Sequence, residues 1–539
     1  MSGCVQRLRC GLRSTLSTKP NFTHQARLGW MSIWALNFAW FCEVYNTLLH
    51  GVGIAFLARQ LTADPRIVVM ASTVGLLFSG SVGPFINYLC DRIQTPLGRR
   101  RPFVVIAYLF SAVGLLVIPV MDSITTLIIA VAVHACIHAF ASPLEPLSME
   151  LVPQSQQGRS QAIRNVFIQC SVFFFFQISL TQFDQTYPGS NDWFAPAGGV
   201  TGVHLAFWLG SGLLFLTALY YAFCTRETLP ANFPAPAAQP RWWKLLKTFP
   251  KDVFADSRWW PVYGLYMAPG LTGGVWGNLR PLMVVEQFGY SMTEMARIGL
   301  PVSLAGLIVI APLVGYCADR NVRYRLWQLL LGVAALLSLA YAGLQTLPSS
   351  PRELPDLLAS LSFCLPLGLG CIGLLLTVVK LAGADSDRFG IRSRFIVISI
   401  TGQILLAAVA FVWIQARPPG EAPMPMSVWL GYMTVSQCFG LTASVVLTPL
   451  LFSRIPSSKF GTVSSGFGIF NSLIGYVLGH IGGYWIHEWT KLTGRTSIQY
   501  SGLWILQALS ATFALVIALR CLRSPLLANP PDLQESSSP

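Results

Sequence analysis

The sequence has little charge for its length. Charged residues make up 11% of its 539 residues, and hydrophobic residues make up 53%. A soluble domain needs a polar surface, and this composition is too apolar to provide one. Long runs of apolar residues are typical of helices that cross a lipid bilayer. The composition therefore predicts an all-α polytopic membrane protein.

The sequence also lacks the motifs of several other protein classes. Its 12 cysteines stand singly and form no CxxC pair, so neither a disulfide framework nor a zinc site is predicted. It contains no GxxxxGK[ST] loop, which binds ATP, and neither HExxH nor GxSxG, which mark hydrolytic enzymes. We expect no metal, no cofactor and no enzymatic activity.

Basic residues outnumber acidic ones by 36 to 22, but they are scattered among short loops. We assign them to the orientation of the helices and to contact with anionic lipids, and we expect no nucleic-acid partner. The first 28 residues are basic and carry no acid. They fit either a cytoplasmic tail or a transit peptide.

Apolar runs predict about 14 helices, because crossing the bilayer core takes about 20 helical residues. Alternating the loops from a cytoplasmic N-terminus places 28 of the 36 Lys and Arg inside and 7 outside. Both termini are therefore expected in the cytoplasm, with the protein in the cell membrane, inner or plasma. The helices are predicted near 29–57, 66–90, 102–121, 124–147, 163–182, 203–224, 259–283, 296–317, 326–346, 357–379, 395–415, 428–452, 462–486 and 500–521.

The runs fall into two halves joined by a polar linker. The linker contains an amphipathic piece, RWWKLLKTF, which we expect on the cytoplasmic membrane surface. The predicted regions are a cytoplasmic basic tail at 1–28, an N-terminal six-helix half at 29–224, the linker at 225–258, a C-terminal half at 259–522 and a cytoplasmic tail at 523–539.

An internal repeat supports two related halves. The pattern PxxxYxxDR occurs at 84–92 and again 228 residues later. Matching prolines and glycines in 153–158 and 456–461 have an offset of 303 residues, which leaves 75 extra residues in the second half. We place an inserted helix pair near 350–425, but the hinge-like loop at 383–394 leaves an earlier position open.

Several motifs resemble the major facilitator superfamily. GRRRPF at 98–103, which follows Asp91, and WAL at 34–36 are similar to the sucrose/proton symporters and the glycoside-pentoside-hexuronide symporters. The resemblance implies two six-helix halves, here with two extra helices, that expose a central site to either side in turn. It also implies that the hinge aspartates bond to nearby arginines in only one conformation.

Gating residues are therefore predicted at both hinges and at an Arg164–Glu150 pair on other helices. The alternative for the arginines is that they only fix the orientation of the helices. The predicted gating residues are Asp91, Arg92, Arg99, Arg100, Arg101, Glu150, Arg164, Asp319 and Arg320.

A polar stripe lies in the middle of the predicted first helix. At 100° per residue, Asn46, Thr47 and His50 fall within about 60° of Glu43, so the stripe should face the bundle interior. A buried carboxyl that gains and loses a proton can couple proton entry to solute entry. We predict Glu43 with His50 as the coupling site and Asn46 as a solute contact. A structurally paired carboxylate and a site for another monovalent cation are the alternatives.

The predicted seventh helix contains a glycine-rich segment before Arg280. Its glycines and Pro269 disfavour a regular helix, and broken helices in transporters expose backbone groups to the solute. Trp276 and Asn278 suit a sugar, because an indole stacks on its apolar face and an amide bonds its hydroxyls. The alternative is that Arg280 extends to the outer surface. Gln169, on the fifth helix, is a further solute candidate.

On the predicted fourth helix, His134, His138 and Glu145 lie on nearly one face, although Pro143 is expected to bend the helix before Glu145. They form either a second proton relay or a structural group.

Together these features predict a secondary transporter that moves a small solute by alternating access. We expect a sugar or glycoside, with coupling to a proton or another monovalent cation, and a monomer in the lipid bilayer. An exporter of drugs or other metabolites is the alternative of the same type. A receptor without transport fits less well, because the tails are too short for a folded domain.

Overall fold

Helices account for most of the described chain in the computed structural model, which confirms the all-α, membrane-spanning class predicted from the sequence. The N-terminal tail, most of the linker before residue 242 and the predicted helix near 326–346 lie outside the described residues. The structure describes residues 28–93, 95, 98–152, 156–183, 185–187, 200–225, 227, 242–274, 279–306, 364–375, 388–416, 426–452, 455, 460–494, 498–524 and 527.

Six segments long and apolar enough to cross a membrane lie between residues 30 and 224. The first is interrupted by a π-helical turn at Leu49–Gly53, and the fourth by a 3-10 turn at Ala139–Ala141. The second interruption lies at Pro143, where the proline ring clashes with the preceding turn of helix. The helices are α1 (Trp30–Leu48), α2 (Ile54–Leu61), α3 (Pro65–Cys90), α4 (Arg101–Val117), α5 (Ile124–His138), α6 (Leu144–Leu151), α7 (Gln157–Phe174) and α8 (Gly202–Cys224).

In the described part of the chain after residue 225, two further segments meet the same length and composition criteria, Ser393–Gln415 and Gly502–Leu522. The count of about 14 helices stays a prediction. The helices are α9 (Trp242–Phe254), α10 (Trp260–Pro269), α11 (Arg280–Leu282), α12 (Met292–Ala305), α13 (Cys364–Leu375), α14 (Arg388–Gln415), α15 (Met426–Phe452), α16 (Phe460–Leu492) and α17 (Gly502–Leu522).

Helix α3 begins with a polar cap. The Asp64 carboxylate accepts a hydrogen bond from the Arg66 backbone N–H at 2.9 Å, and Pro65 occupies the first helical position. A carboxylate before a helix satisfies an otherwise unpaired N–H, and proline has no N–H to lose. The Arg66 side chain also bonds to Asp64 and holds the pKa of that carboxyl below its usual value. The cap fixes where the second span starts.

The two halves meet where α3 runs along α16. A Cβ on Gly80 would lie 2.1 Å from the Cβ of Ser472, so the helices approach at a distance that only glycine permits there. Nearby, the Ser465 hydroxyl donates to the Pro84 carbonyl oxygen at 2.7 Å. Helices in lipid associate through such close contact and interhelical hydrogen bonds, because the lipid is as apolar as they are.

A short hairpin joins the two spans at the end of the N-terminal half. Strand β1 (Thr186–Tyr187) pairs antiparallel with β2 (Val200–Thr201), with Thr186 opposite Thr201. Thr201 then caps α8, and its hydroxyl lies 2.7 Å from His204 Nδ1. The hairpin brings the chain to the start of α8, a role that helix periodicity in the sequence does not reveal.

The linker helix α9 packs one face against the protein. Leu245, Phe249 and Val253 are buried and cluster with residues at the end of α3. Trp242 and Trp243 are exposed. This division is that of an amphipathic helix. Only the exposed face of α9, with Trp242 and Trp243, is therefore available to contact the membrane surface, and that contact stays a prediction.

Candidate functional site

Glu43 lies inside the N-terminal half and joins three helices. Its Oε1 is 3.0 Å from His138 Nε2 on α5, and its Oε2 accepts a hydrogen bond from the Tyr108 hydroxyl on α4 at 3.0 Å. Asn46 Nδ2 also lies 3.1 Å from His138 Nε2, and Ser111 Oγ lies 3.3 Å from His138 Nδ1. Both sides of the imidazole ring are therefore engaged.

Two further histidines extend this group. The His134 ring stacks on the His138 ring with centroids 5.8 Å apart, and on the His50 ring at 4.5 Å. His50 Nε2 lies 2.7 Å from His134 Nδ1, so one of the two nitrogens carries the shared proton. We call this group the Glu43 cluster, and its members are Glu43, Asn46, His50, Tyr108, Ser111, His134 and His138.

The Glu43 cluster brings together the predicted coupling residues Glu43 and His50 and the predicted solute contact Asn46. Thr47 differs, because it is exposed and its hydroxyl donates to the Glu43 carbonyl oxygen on its own helix. Sequence reasoning missed Tyr108 and Ser111, which are single polar residues in an apolar helix. Among the described residues no group of His, Cys, Asp or Glu has the arrangement of a metal site.

Of the predicted group of His134, His138 and Glu145, the two histidines join the Glu43 cluster and Glu145 has a different partner. Glu145 Oε1 accepts a hydrogen bond from Arg164 Nη1 at 2.8 Å, and the 3-10 turn at Ala139–Ala141 lies between the helix of Glu145 and that of the histidines. Arg164 also lies over the Trp40 ring at 3.4 Å. The predicted partner of Arg164 was Glu150, and the side chain of Glu150 lies outside the described residues.

Besides Asn46, four residues were predicted to contact the solute, and the structure describes two of them, Gln169 and Arg280. Gln169 is buried on α7, and its Oε1 has no hydrogen-bond partner among the described residues. Arg280 begins α11, and its Nη2 donates to Gln507 Oε1 on α17 at 3.2 Å. Trp276 and Asn278 lie outside the described residues.

One end of the bundle carries the hinge arginines. The Asp91 carboxylate accepts a hydrogen bond from Arg100 Nη2 at 2.7 Å and lies 3.9 Å from Arg99 Nη1. The Arg101 side chain donates to the carbonyl oxygens of Tyr221 and Ala222 at the end of α8. Asp319 and Arg320, the predicted counterparts of this hinge, lie outside the described residues.

Glu227 organises the same end, and sequence reasoning missed it. Its side chain is 3% exposed, and its Oε2 accepts hydrogen bonds from the backbone N–H groups of Arg99, Arg100 and Arg101 at 2.9, 3.0 and 3.3 Å. The first N–H groups of a helix have no partner within the helix, so a carboxylate at the start of α4 satisfies them. Asp91, Arg99, Arg100 and Glu227 are called the Asp91 cluster.

Arg92 binds the linker helix instead of Asp91. Its guanidinium lies 3.6 Å from the Tyr88 ring centroid, and its Nη2 is 3.3 Å from the Asp252 carboxylate on α9. The Tyr88 hydroxyl donates to the same carboxylate at 2.5 Å. The linker is thereby attached to α3 by polar as well as apolar contacts.

At the opposite end, an ion pair joins the two halves. Arg59 Nε at the end of α2 donates to Glu286 Oε1 at 2.6 Å, and the Tyr500 hydroxyl donates to Glu286 Oε2 at 3.0 Å. The Tyr500 backbone N–H donates to Gln287 Oε1 at 3.0 Å. Arg59, Glu286 and Tyr500 are called the Arg59 cluster, and no motif in the sequence indicates it.

Known proteins of the same architecture resemble this chain. A bacterial homologue of the human lysosomal transporter Spinster, in an inward-facing and occupied conformation, shares 14% identity over 92% of this chain and 96% of its own, with a TM-score of 0.52. An auto-inhibited POT-family peptide transporter shares 15% identity over 94% of this chain and 98% of its own, with a TM-score of 0.50. These likenesses concern the fold.

No curated protein matches the sequence significantly. The family model described as the Major Facilitator Superfamily matches residues 36–385, which is more than half of the chain. The chain therefore belongs to the Major Facilitator Superfamily of membrane transporters.

Proposed function

We propose that this transporter couples the entry of a sugar or glycoside to the entry of protons, with the Asp91 end and both termini in the cytoplasm. The Glu43 cluster is the observation that carries the proposal. A carboxylate and an imidazole 3.0 Å apart inside a membrane helix bundle share a site for one exchangeable proton. Buried ionisable groups in spans are costly, and in transporters they mark ion pathways.

The contacts of His138 define two states of the site. When the ring is neutral and its proton is on Nδ1, the Nδ1–H group donates a hydrogen bond to Ser111 Oγ, and the Asn46 amide donates to Nε2. When Nε2 is also protonated, it donates to Glu43 and the contact becomes an ion pair. Protonation therefore strengthens the contact between α1 and α5 and releases the Asn46 amide. A change of that kind can bias the rocking of two halves.

Uptake into proteoliposomes tests the proposal. Labelled sucrose, maltose and glucose are offered with and without an inward proton gradient, to the wild type and to Glu43→Gln. We expect the gradient to drive accumulation in the wild type and not in the variant. Exchange of labelled for unlabelled sugar without a gradient should persist in Glu43→Gln, because solute binding does not need the carboxylate charge. Glu488→Gln, at an exposed end of α16, is the matched control.

Two results would contradict the proposal. Gradient-driven accumulation that persists in Glu43→Gln would remove the proton site from Glu43. If no sugar accumulated with either protein although both were folded, the sugar assignment would fail, and export of other solutes would become the leading function.

A further inference from the structure

A group of hydrogen-bond donors surrounds Arg280 at the meeting point of α11, α15 and α17. The guanidinium carbon lies 5.8 Å from the Tyr432 ring centroid and 6.0 Å from that of Trp504, while Gln507 accepts its hydrogen bond. Tyr432, Trp504 and Gln507 are each more than nine-tenths buried. We call these four residues the Arg280 cluster.

Two donors of the Arg280 cluster lack a hydrogen-bond partner in the part of the chain that the structure describes. Arg280 Nε, the Tyr432 hydroxyl, Trp504 Nε1 and Gln507 Nε2 are all buried. Arg280 Nε and Trp504 Nε1 have no hydrogen-bond partner among the described residues, and the Tyr432 hydroxyl faces the side chains of Gln507 and Ser436. Buried polar groups normally have partners, and leaving one without a partner is costly. Two such donors beside one buried guanidinium, Arg280 Nε and Trp504 Nε1, indicate a ligand.

All four atoms can donate a hydrogen bond. Arginine and indole nitrogens only donate, and a tyrosine hydroxyl can do either. Gln507 must turn its oxygen toward Arg280, because arginine has no acceptor, so its amide nitrogen is left to donate elsewhere. The missing ligand is therefore rich in hydrogen-bond acceptors.

The charge of Arg280 is a second feature of the cluster. Within the described chain no carboxylate forms an ion pair with it. Glu286, six residues later, is already bonded to Arg59 and Tyr500. A cation in a membrane bundle is costly unless it is paired, and an arginine fork matches the two oxygens of a carboxylate.

We infer that the Arg280 cluster binds a small anionic group, either the carboxylate of the transported solute or an inorganic anion bound beside it. The inference rests on the proposed transport of a hydroxylated solute, and it adds a carboxylate or a companion anion to that solute.

Thermal unfolding of the purified protein in detergent tests this inference without transport. Sodium gluconate, its neutral analogue sorbitol, and sodium chloride are titrated separately into a buffer free of small anions. We expect gluconate to raise the apparent melting temperature saturably and sorbitol to leave it unchanged. In Arg280→Gln the gluconate midpoint should weaken by roughly tenfold or more, because a hydrogen bond to a charged group is lost.

Two further variants complete the test, one as a control away from the site and one as a milder change within it. Arg258→Gln changes an exposed arginine that bonds to Asp256 and should leave the gluconate midpoint unchanged. Trp504→Phe keeps an aromatic ring in the core but removes one donor, so the midpoint should weaken only a few-fold. The second variant keeps the inference testable even if Arg280→Gln folds poorly.

The outcomes distinguish a solute carboxylate from an inorganic anion. They also test this inference independently of the proposed function. Saturable stabilisation by chloride that needs Arg280 would assign the site to an inorganic anion. No effect of either salt, or an effect unchanged in Arg280→Gln, would overturn the inference, even if proton-driven sugar uptake were observed. Anion binding without any such uptake would support the site while the proposed function failed.

Discussion

The Asp91 cluster and the Arg59 cluster are both networks of arginine and carboxylate, but they connect different parts of the molecule. In the Asp91 cluster, Glu227 and Asp91 hold the start of α4 against the ends of α3 and α8, all in or next to the N-terminal half. In the Arg59 cluster, the N-terminal half is bonded to Glu286 of the C-terminal half. Only the second network crosses the interface between the halves.

Because of this difference, the two clusters should affect different properties of the protein, one its stability and the other the equilibrium between its conformations. When two halves rock about a central site, contacts across their interface must break and contacts within one half can persist. Changes in the Asp91 cluster should therefore act on the stability of the fold. Changes in the Arg59 cluster should act on the equilibrium between conformations.

The largest effect is expected from Glu227→Ala. The change leaves three backbone N–H groups without their acceptor and removes the buried carboxylate that lies 3.7 Å from Arg99 Nε. Removing one partner of a buried ion pair costs about 3–5 kcal/mol. Loss of folded protein by size-exclusion chromatography and a large fall in apparent melting temperature would show this. Glu488→Ala, which removes an exposed carboxylate, should change neither.

Gly98→Ala should have the next largest effect. Gly98 has a φ of +119°, and a Cβ there would lie 2.5 Å from Glu227 Oε2. The left-handed region costs a non-glycine residue about 1–2 kcal/mol, and the close contact adds to it. Gly289→Ala is the matched control, because Gly289 has a φ of +71° and no atom lies within 4 Å of the position that its Cβ would take. Equal falls in melting temperature for the two variants would show that Glu227 does not restrict Gly98.

The sequence was enough to predict the six spans between residues 30 and 224, and the grouping of Glu43, Asn46 and His50 on the first of them. Both follow from local patterns: apolar runs of sufficient length, and polar residues such as Glu43 and His50 that recur on one helical face. The residues that complete the clusters could not be predicted. Tyr108 bonds to Glu43 across 65 residues, and Glu227 bonds to Arg99 across 128. Such partners are determined by helix packing, which one sequence does not reveal.

The position of the inserted helices depends on packing in the same way. Helix α4 packs against α8 and α5, and α14 packs in the corresponding manner against α17 and α15. We therefore propose that α14 is the counterpart of α4. On this proposal the loop at 383–394 leads into α14 as the Asp91 hinge leads into α4, and the inserted pair lies between Arg320 and that loop, near 326–346 and 357–379.

An intermediate effect, on conformation rather than folding, is expected from Arg59→Gln and Glu286→Gln. The side chains of this pair are 28% and 20% exposed, so their coupling should be about 1 kcal/mol. Loss of this ion pair favours separation of the two halves at the end of the bundle that carries the Arg59 cluster.

Spin labels at Leu61 and Leu492, exposed ends of α2 and α16, measure that separation in a cysteine-free background. We expect a larger population of long distances in each single variant and no further gain in the double variant. Additive shifts would show that the two residues act independently. Arg258→Gln should leave the distance distribution unchanged.

The smallest effect is expected from Asp252→Asn, which tests the attachment of the linker to the Asp91 end. The Asp252 side chain is 39% exposed, so its ion pair with Arg92 contributes less than about 1 kcal/mol. The apolar face of α9 should keep the helix in place, since Phe249 packs edge-to-face on Tyr88 at 5.1 Å. Phe249→Ala should therefore increase protease cleavage of the linker more than Asp252→Asn does. The reverse order would mean that Arg92 and Asp252, and not the buried aromatic residues, hold the linker against the N-terminal half.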